Sequence, residues 1–189
     1  MSSSITVSLI FFLVSLSSTS SFPSKRNSYV QNACSVTHYK DLCVQTLAPY
    51  SSVAKNNPSK WARAGVSVAI SDNKDVIRSL LKMRRSAFGR RDRVALSDCR
   101  ELLQDSLDNL HKSLAVLRTL RASEFQEQMS DLATWLSTAL TDKDTCLDGF
   151  EKTSMKSGMV RTIRRRVTTS MYMSSISLAL LNKLAADGL

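Results

Sequence analysis

Between residues 96 and 117 one pattern repeats: Leu96, Cys99, Leu103, Leu107, Leu110, Leu114 and Leu117 fall at steps of three and four. That period puts all of them on one side of a helix, as in the seam of a helical bundle. A helix of this kind cannot bury its stripe alone, so the rest of the chain must supply partners. A second stripe runs Phe125, Met129, Leu132, Leu136, Ala139 and Cys146, and a third runs Ile163, Val167, Met171, Leu178, Leu181 and Ala185. A fourth, with Val66, Ile70, Ile77 and Leu80, follows a Pro58-Ser59 helix start and continues to about Arg85. The break at Gly89-Arg90-Arg91-Asp92 begins the Leu96 helix, which runs to about Leu120. Ser123-Glu-Phe-Gln126 has the form of a capping box for the next helix, and the last helix spans about Ser157 to Ala186. A shorter helical stretch from Tyr29 to about Leu47 is broken near Val36-Thr37 into a hairpin. With five Gly and three Pro in 189 residues, there is little of the turn chemistry that an all-β chain needs. The fold class is all-α: an up-and-down four-helix bundle with an N-terminal helical hairpin.

The first residues, MSSSITVSLIFFLVSLSSTSSFPS, carry an apolar run from Ile5 to Leu16 followed by small residues Ser17 to Ser21. The run is too short to span a bilayer and suits a signal peptide, placed at 1–22, ahead of one helical domain at 28–188. Secretion is therefore expected, with no membrane attachment after cleavage. Four cysteines behind such a leader imply disulfides, with three possible connectivities. Cys99 and Cys146 lie on core-facing stripes of consecutive helices, and antiparallel packing brings the start of one near the end of the other. Cys34 and Cys43 are nine residues apart, which fits a bridged hairpin. The expected pairing is Cys34–Cys43 and Cys99–Cys146; the rivals would tie the hairpin to the bundle twice.

Opposite the Leu132–Cys146 stripe, Thr134, Thr138, Thr141 and Thr145 share the other side of the same helix, about 180° away. Threonine is a mediocre helix former. A row of it on an outward face reads either as hydroxyls bonding back to the preceding turn or as a flat, uncharged, hydrogen-bonding surface for a protein partner. Asp142, Asp144 and Asp148 follow, without the spacing of a calcium loop. Lys143 projects toward the bundle side. The formal charge of +10 comes largely from two clusters, Lys82-Met83-Arg84-Arg85 with Arg90, Arg91 and Arg93, and Arg161 with Arg164-Arg165-Arg166. With only Phe88 near the first, aromatic interleaving for nucleic acid is lacking, and an acidic wall polysaccharide is the better electrostatic partner. His38 and His111 stand alone, and no nucleophile elbow, zinc helix or phosphate loop is present. The carboxylate pairs Glu101/Asp105 and Asp105/Asp108 flank an ordinary solvent face. No catalytic residue, metal or cofactor is expected.

The segment Trp135–Phe150, WLSTALTDKDTCLDGF, resembles the signature of plant pectin methylesterase inhibitors, a module also found as the pro-region of many plant pectin methylesterases. Cys34 with Tyr39-Lys40-Asp41-Leu42-Cys43 is similar to that family's N-terminal hairpin, and Ala95–Leu102, ALSDCREL, to the start of its third bundle helix. The resemblance implies a four-helix bundle with a hairpin extension, the same disulfide pairing, and no enzymatic activity. It also implies one-to-one, non-covalent binding over the active-site cleft of pectin methylesterase in the cell wall. Thr141 matches a threonine at the family's enzyme contact; Thr138, Asp144 and Thr145 share or border its face. The sister branch inhibits invertases and carries Pro-Lys-Phe in the link before the fourth bundle helix. Here that place reads Arg121-Ala122-Ser123-Glu124-Phe125. Invertase inhibition is thus the alternative, as is a basic pectin-binding module with no enzyme target. Weak electrostatic binding to acidic pectin is a further expectation from the arginines.

Overall fold

The computed structural model describes residues 24–84, 89–151, 153 and 156–189. The expected signal peptide at 1–22, and Arg85 and Phe88, lie outside the described residues. The chain forms α1 (Ser24–Cys34), α2 (Lys40–Leu47), a short α3 (Ser51–Ala54), and four long helices, α4 (Pro58–Arg84), α5 (Arg90–Arg118), α6 (Phe125–Asp148) and α7 (Ser157–Asp187). Single 3₁₀ turns at Ala48–Tyr50 and Ala122–Glu124 precede α3 and α6. α4 and α6 lie diagonally, each packed against both α5 and α7. This is the expected up-and-down bundle, with α1 and α2 as the hairpin.

Local sequence explains the starts unevenly. The side chain of Asn57 accepts the Lys60 N–H at 2.8 Å, with Pro58 at the first helical position, so α4 has a well-formed N-cap. The capping box expected at Ser123 does not form. Ser123 sits within the 3₁₀ turn, and no side chain caps α6. Instead Gln128 reaches back from the helix. Its Oε1 accepts the Arg121 N–H at 3.0 Å and its Nε2 donates to the Thr119 carbonyl at 3.4 Å. The 3₁₀ turn has moved the helix start beyond the serine, so a side chain inside α6 performs the bridging.

All seven stripe residues of α5 are buried. On α7 the stripe is shifted: Ala185 is exposed and Met171 and Leu178 are only half-buried. The buried seam runs Ile163, Val167, Ser170, Ser174, Ser177, Leu181 and Leu184. Its steps of four and three are regular, but serines occupy its middle. The other seams repeat this. On α4 the buried line is Ala62, Val66, Ala69, Asn73, Val76 and Leu80, and on α6 it is Met129, Leu132, Leu136, Ala139, Lys143 and Cys146. A polar layer thus crosses the bundle and divides the core. On the hairpin side lies an apolar cluster containing Leu47, Trp61, Leu110, Leu136 and Leu180. On the other side Leu80, Leu96, Leu103, Phe150 and Ile163 pack round Cys99 and Cys146.

Two disulfides close the expected loops, Cys34–Cys43 with Cα atoms 5.7 Å apart and Cys99–Cys146 with Cα atoms 4.3 Å apart. The first ties α1 to α2 and the second the start of α5 to the end of α6. Tyr39 of the hairpin stacks on Tyr172 of α7, ring centroids 4.1 Å apart. Gly65 lets α4 approach α7 closely, since a Cβ there would lie 3.0 Å from the Leu180 side chain.

Candidate functional site

The outward face of α6 is built as its period dictates. With Leu132, Leu136, Ala139 and Cys146 buried, Thr134, Thr138, Thr141 and Thr145 are all exposed. Each hydroxyl donates to the carbonyl four residues back: Thr134 to Ser130 at 3.0 Å, Thr138 to Thr134 at 2.9 Å, Thr141 to Ser137 at 3.2 Å and Thr145 to Thr141 at 2.9 Å. Of the two readings of the row, hydroxyls bonding back to the preceding turn is the one the structure shows, and it limits what the face can offer a partner. The hydroxyl protons are already used, so the oxygens can accept but not donate, and the methyl groups complete an uncharged surface.

Along this face Ala133, Thr134, Ser137, Thr138, Thr141 and Asp142 line a shallow groove of about 520 Å³. Thr138 and Thr141 are thus brought together in the groove. Thr145 continues the row beyond it, and Asp144, exposed, lies about 60° round the helix from Thr141. Asp142 closes the groove. It is half-buried, and its Oδ2 has no hydrogen-bond partner among the described residues. Burial, and then Asp105 on α5, push its carboxyl above the usual carboxylate range, against the pull of Lys143. In the sequence Asp142 stands one turn after Thr138, and that helical phase was the available signal for its place in the groove.

Behind the groove lies Lys143, fully buried, its Nζ donating to Ser174 Oγ at 2.6 Å. Burial lowers its pKa to about 8, opposed by Asp72 and Asp142. Asp72, on α4, is raised by burial, offset by Ser170, Lys143 and Arg166. Asn73 Nδ2 donates to the Leu103 carbonyl at 2.9 Å and Ser106 Oγ to the Ala139 carbonyl at 3.1 Å, so all four long helices join this layer. A lysine with a depressed pKa would suit a nucleophile, but a fully buried Nζ has no route to a substrate.

The disulfide end of the bundle is strongly basic. The end of α4 and the starts of α5 and α7 meet there, over the core of Leu80, Leu96 and Ile163. Arg90, Arg91, Arg93, Arg161, Arg164 and Arg165 are exposed. The two sequence clusters therefore converge on one end. Among the described residues no group of three or more His, Cys, Asp or Glu is placed to hold a metal ion, and no helix is long and apolar enough to cross a membrane.

A four-helix bundle stapled by one disulfide and carrying a disulfide-bridged helical hairpin defines the structural class. The comparisons agree. The sequence model of the family described as plant invertase/pectin methylesterase inhibitor matches residues 28–180, and the chain belongs to that family. It is 65% identical over 163 residues to Pectinesterase inhibitor 6 of Arabidopsis thaliana, covering 86% of this chain and 78% of the relative. With Pectinesterase inhibitor 3 of the same organism it is 36% identical over 162 residues, 82% of this chain and 78% of the relative. In fold it is similar to a mutant form of a pectin methylesterase inhibitor from Arabidopsis, known by crystallography. There the TM-score is 0.63 at 18% identity, covering 84% of this chain and 97% of that one.

Proposed function

We propose that this chain is a secreted inhibitor of pectin methylesterase that binds the enzyme non-covalently and one to one, laying the threonine face of α6 over the active-site cleft. In the cell wall it would restrain pectin de-esterification. The observation that carries this reading is the 65% identity to a pectinesterase inhibitor across most of the chain. The groove of methyls and acceptor oxygens supports the contact, because it can be desolvated without stripping water from a charge other than Asp142. The leader and two disulfides support secretion, since disulfides persist in oxidising compartments. Acidic pectin is a second partner, favoured by the convergence of the arginine clusters at one end.

The test is Thr141→Lys. A long hydrated cation set into the contact should weaken inhibition at least tenfold, about 1.4 kcal/mol. Thr141 is exposed, so the thermal midpoint should hold. Gln45→Lys, on the exposed side of the hairpin, is the charge-matched control. Inhibition constants are measured against pectin methylesterase with invertase in parallel. Undiminished inhibition by Thr141→Lys removes this face from the contact, and inhibition of invertase alone turns the reading to the sister branch.

A further inference from the structure

We propose that the basic end of the bundle is a binding site for de-esterified pectin, a linear polyuronate. It holds the inhibitor on the enzyme's product while the threonine face stays free to take the enzyme. This rests on the inhibitor reading for the identity of the polyanion. The site itself stands on how the arginines are placed. Arg90, Arg91 and Arg93 occupy the first turn of α5, and Arg161, Arg164 and Arg165 the second and third turns of α7. Positive charge is unfavourable in the first turn of a helix, which on α5 holds Arg90, Arg91 and Arg93. Intramolecular pairing does not offset it. None of these six guanidinium groups has an ion pair or hydrogen bond among the described residues, whereas Arg78, Arg121 and Lys183 do pair with carboxylates elsewhere. An external anion would relieve the mutual repulsion on both helices and the opposed dipole of α5.

The arrangement suits a polymer better than a small ion. Consecutive arginines fan round a helix at 100° steps, while Arg161 and Arg165, four apart, form a ridge. α5 and α7 stand diagonally in the bundle, so their axes are roughly 14 Å apart if neighbours pack at about 10 Å. Lys82, exposed at the end of α4, lies between them. A chain of several sugars crossing α5, α4 and α7 would meet all three elements. Guanidinium forks match carboxylates bidentately. Leu81, 44% exposed, offers apolar surface along the α4 part of this path for C–H faces or remaining methyl esters, while Val94, 49% exposed, lines a groove with Arg90, Arg91, Gly149 and Thr153. Asp98 lines that same groove beside Arg90 and Arg91, and with the exposed Asp148 and Glu151 it limits how far the polyanion extends toward the end of α6. α4 is the helix diagonal to the one that carries the threonine row, so the two surfaces do not compete.

The experiment uses the whole mature chain and two triple variants, Arg90→Gln/Arg91→Gln/Arg93→Gln and Arg161→Gln/Arg164→Gln/Arg165→Gln. The control triple, Lys40→Gln/Lys112→Gln/Arg118→Gln, removes the same charge from exposed positions away from this end. Affinity for polygalacturonate is measured without enzyme. Wild type should bind at low salt and lose affinity steeply as ionic strength rises. Each arginine triple should bind at least tenfold more weakly, and the control triple should stay within about threefold of wild type. Polygalacturonate beads loaded with wild type should capture more pectin methylesterase than bare beads. Equal loss in the control triple would reduce the effect to net charge and overturn the site. Equal binding to highly methyl-esterified pectin would overturn the carboxylate assignment, and tighter binding to phosphatidylserine vesicles would assign the end to a lipid surface. Loaded beads that capture no extra enzyme would overturn simultaneous binding. Enzyme binding in free solution, titrated without pectin, separates these results from failure of the inhibitor reading itself.

Discussion

Lys143 occupies the seam of α6 between Ala139 and Cys146, where a leucine would complete the stripe. Its phase was legible in the sequence, since it projects to the bundle side. Its complete burial was not, because lysine is almost never fully buried unless paired, and its partners Ser174 and Asp72 come from other helices. Replacing it should separate packing from charge. Lys143→Ala leaves a cavity and an uncompensated Asp72, and should cost roughly 2–4 kcal/mol. Lys143→Met fills most of the volume but leaves Asp72 equally uncompensated, so it should cost less than Lys143→Ala by the cavity alone. The pH dependence follows in sign. A lysine whose folded pKa is lowered to about 8 contributes stability above its unfolded value that is lost as pH falls through 8. Wild-type stability should therefore gain from this group as pH rises from about 8 toward 10.5, and Lys143→Met should lack that gain. Asp72 and Asp142, both raised, contribute stability that is fully present below 3.8 and lost as pH rises through their folded values. Denaturant midpoints across pH for both proteins check each sign. The threonines were more legible: period gave their exposure, and hydroxyls tied to the preceding turn were one of the two readings their residue type allowed.

Helix existence was read from seams, and seams fail where polar residues occupy them. On α7 the apolar residues Met171, Leu178 and Ala185 drew the stripe to one side, because Ser170, Ser174 and Ser177 hold the true line. Periodicity of hydrophobic residues cannot register a buried serine, whereas periodicity of small residues would have. Helix starts were less legible still. Asn57 and Pro58 cap α4 through adjacent atoms, so sequence proximity is enough. At α6 the bridging group is Gln128, seven residues from the N–H it serves, across a 3₁₀ turn. The expected consequence reverses the capping-box reading. Ser123→Ala should change stability by less than about 0.5 kcal/mol, while Gln128→Ala should cost about 0.5–1.5 kcal/mol. Thermal midpoints of the two variants decide between them. Equal costs would restore Ser123 as a cap.

At the scale of the molecule, the up-and-down architecture and the pairing of Cys99 with Cys146 were legible because a bundle with short links leaves few choices. The convergence of two arginine clusters, some seventy residues apart in the chain, follows only once the direction of every helix is known. The long bridge spans 47 residues and should contribute about 4 kcal/mol in the chain-entropy account, so Cys99→Ser/Cys146→Ser should lower the denaturant midpoint accordingly. Both bridges are local, however: one lies within the hairpin, one within the bundle, and neither crosses between them. Among the described residues no disulfide joins the hairpin to the bundle, and Val30, Ala33, Leu47 and the Tyr39–Tyr172 stack pack it in place. It can open as a unit while the bundle stays closed, at a cost below that of global unfolding. Amide protons of α1 and α2 should then exchange with solvent faster than those of α5 and α6, at rates that Cys99→Ser/Cys146→Ser leaves unchanged until the bundle itself begins to melt.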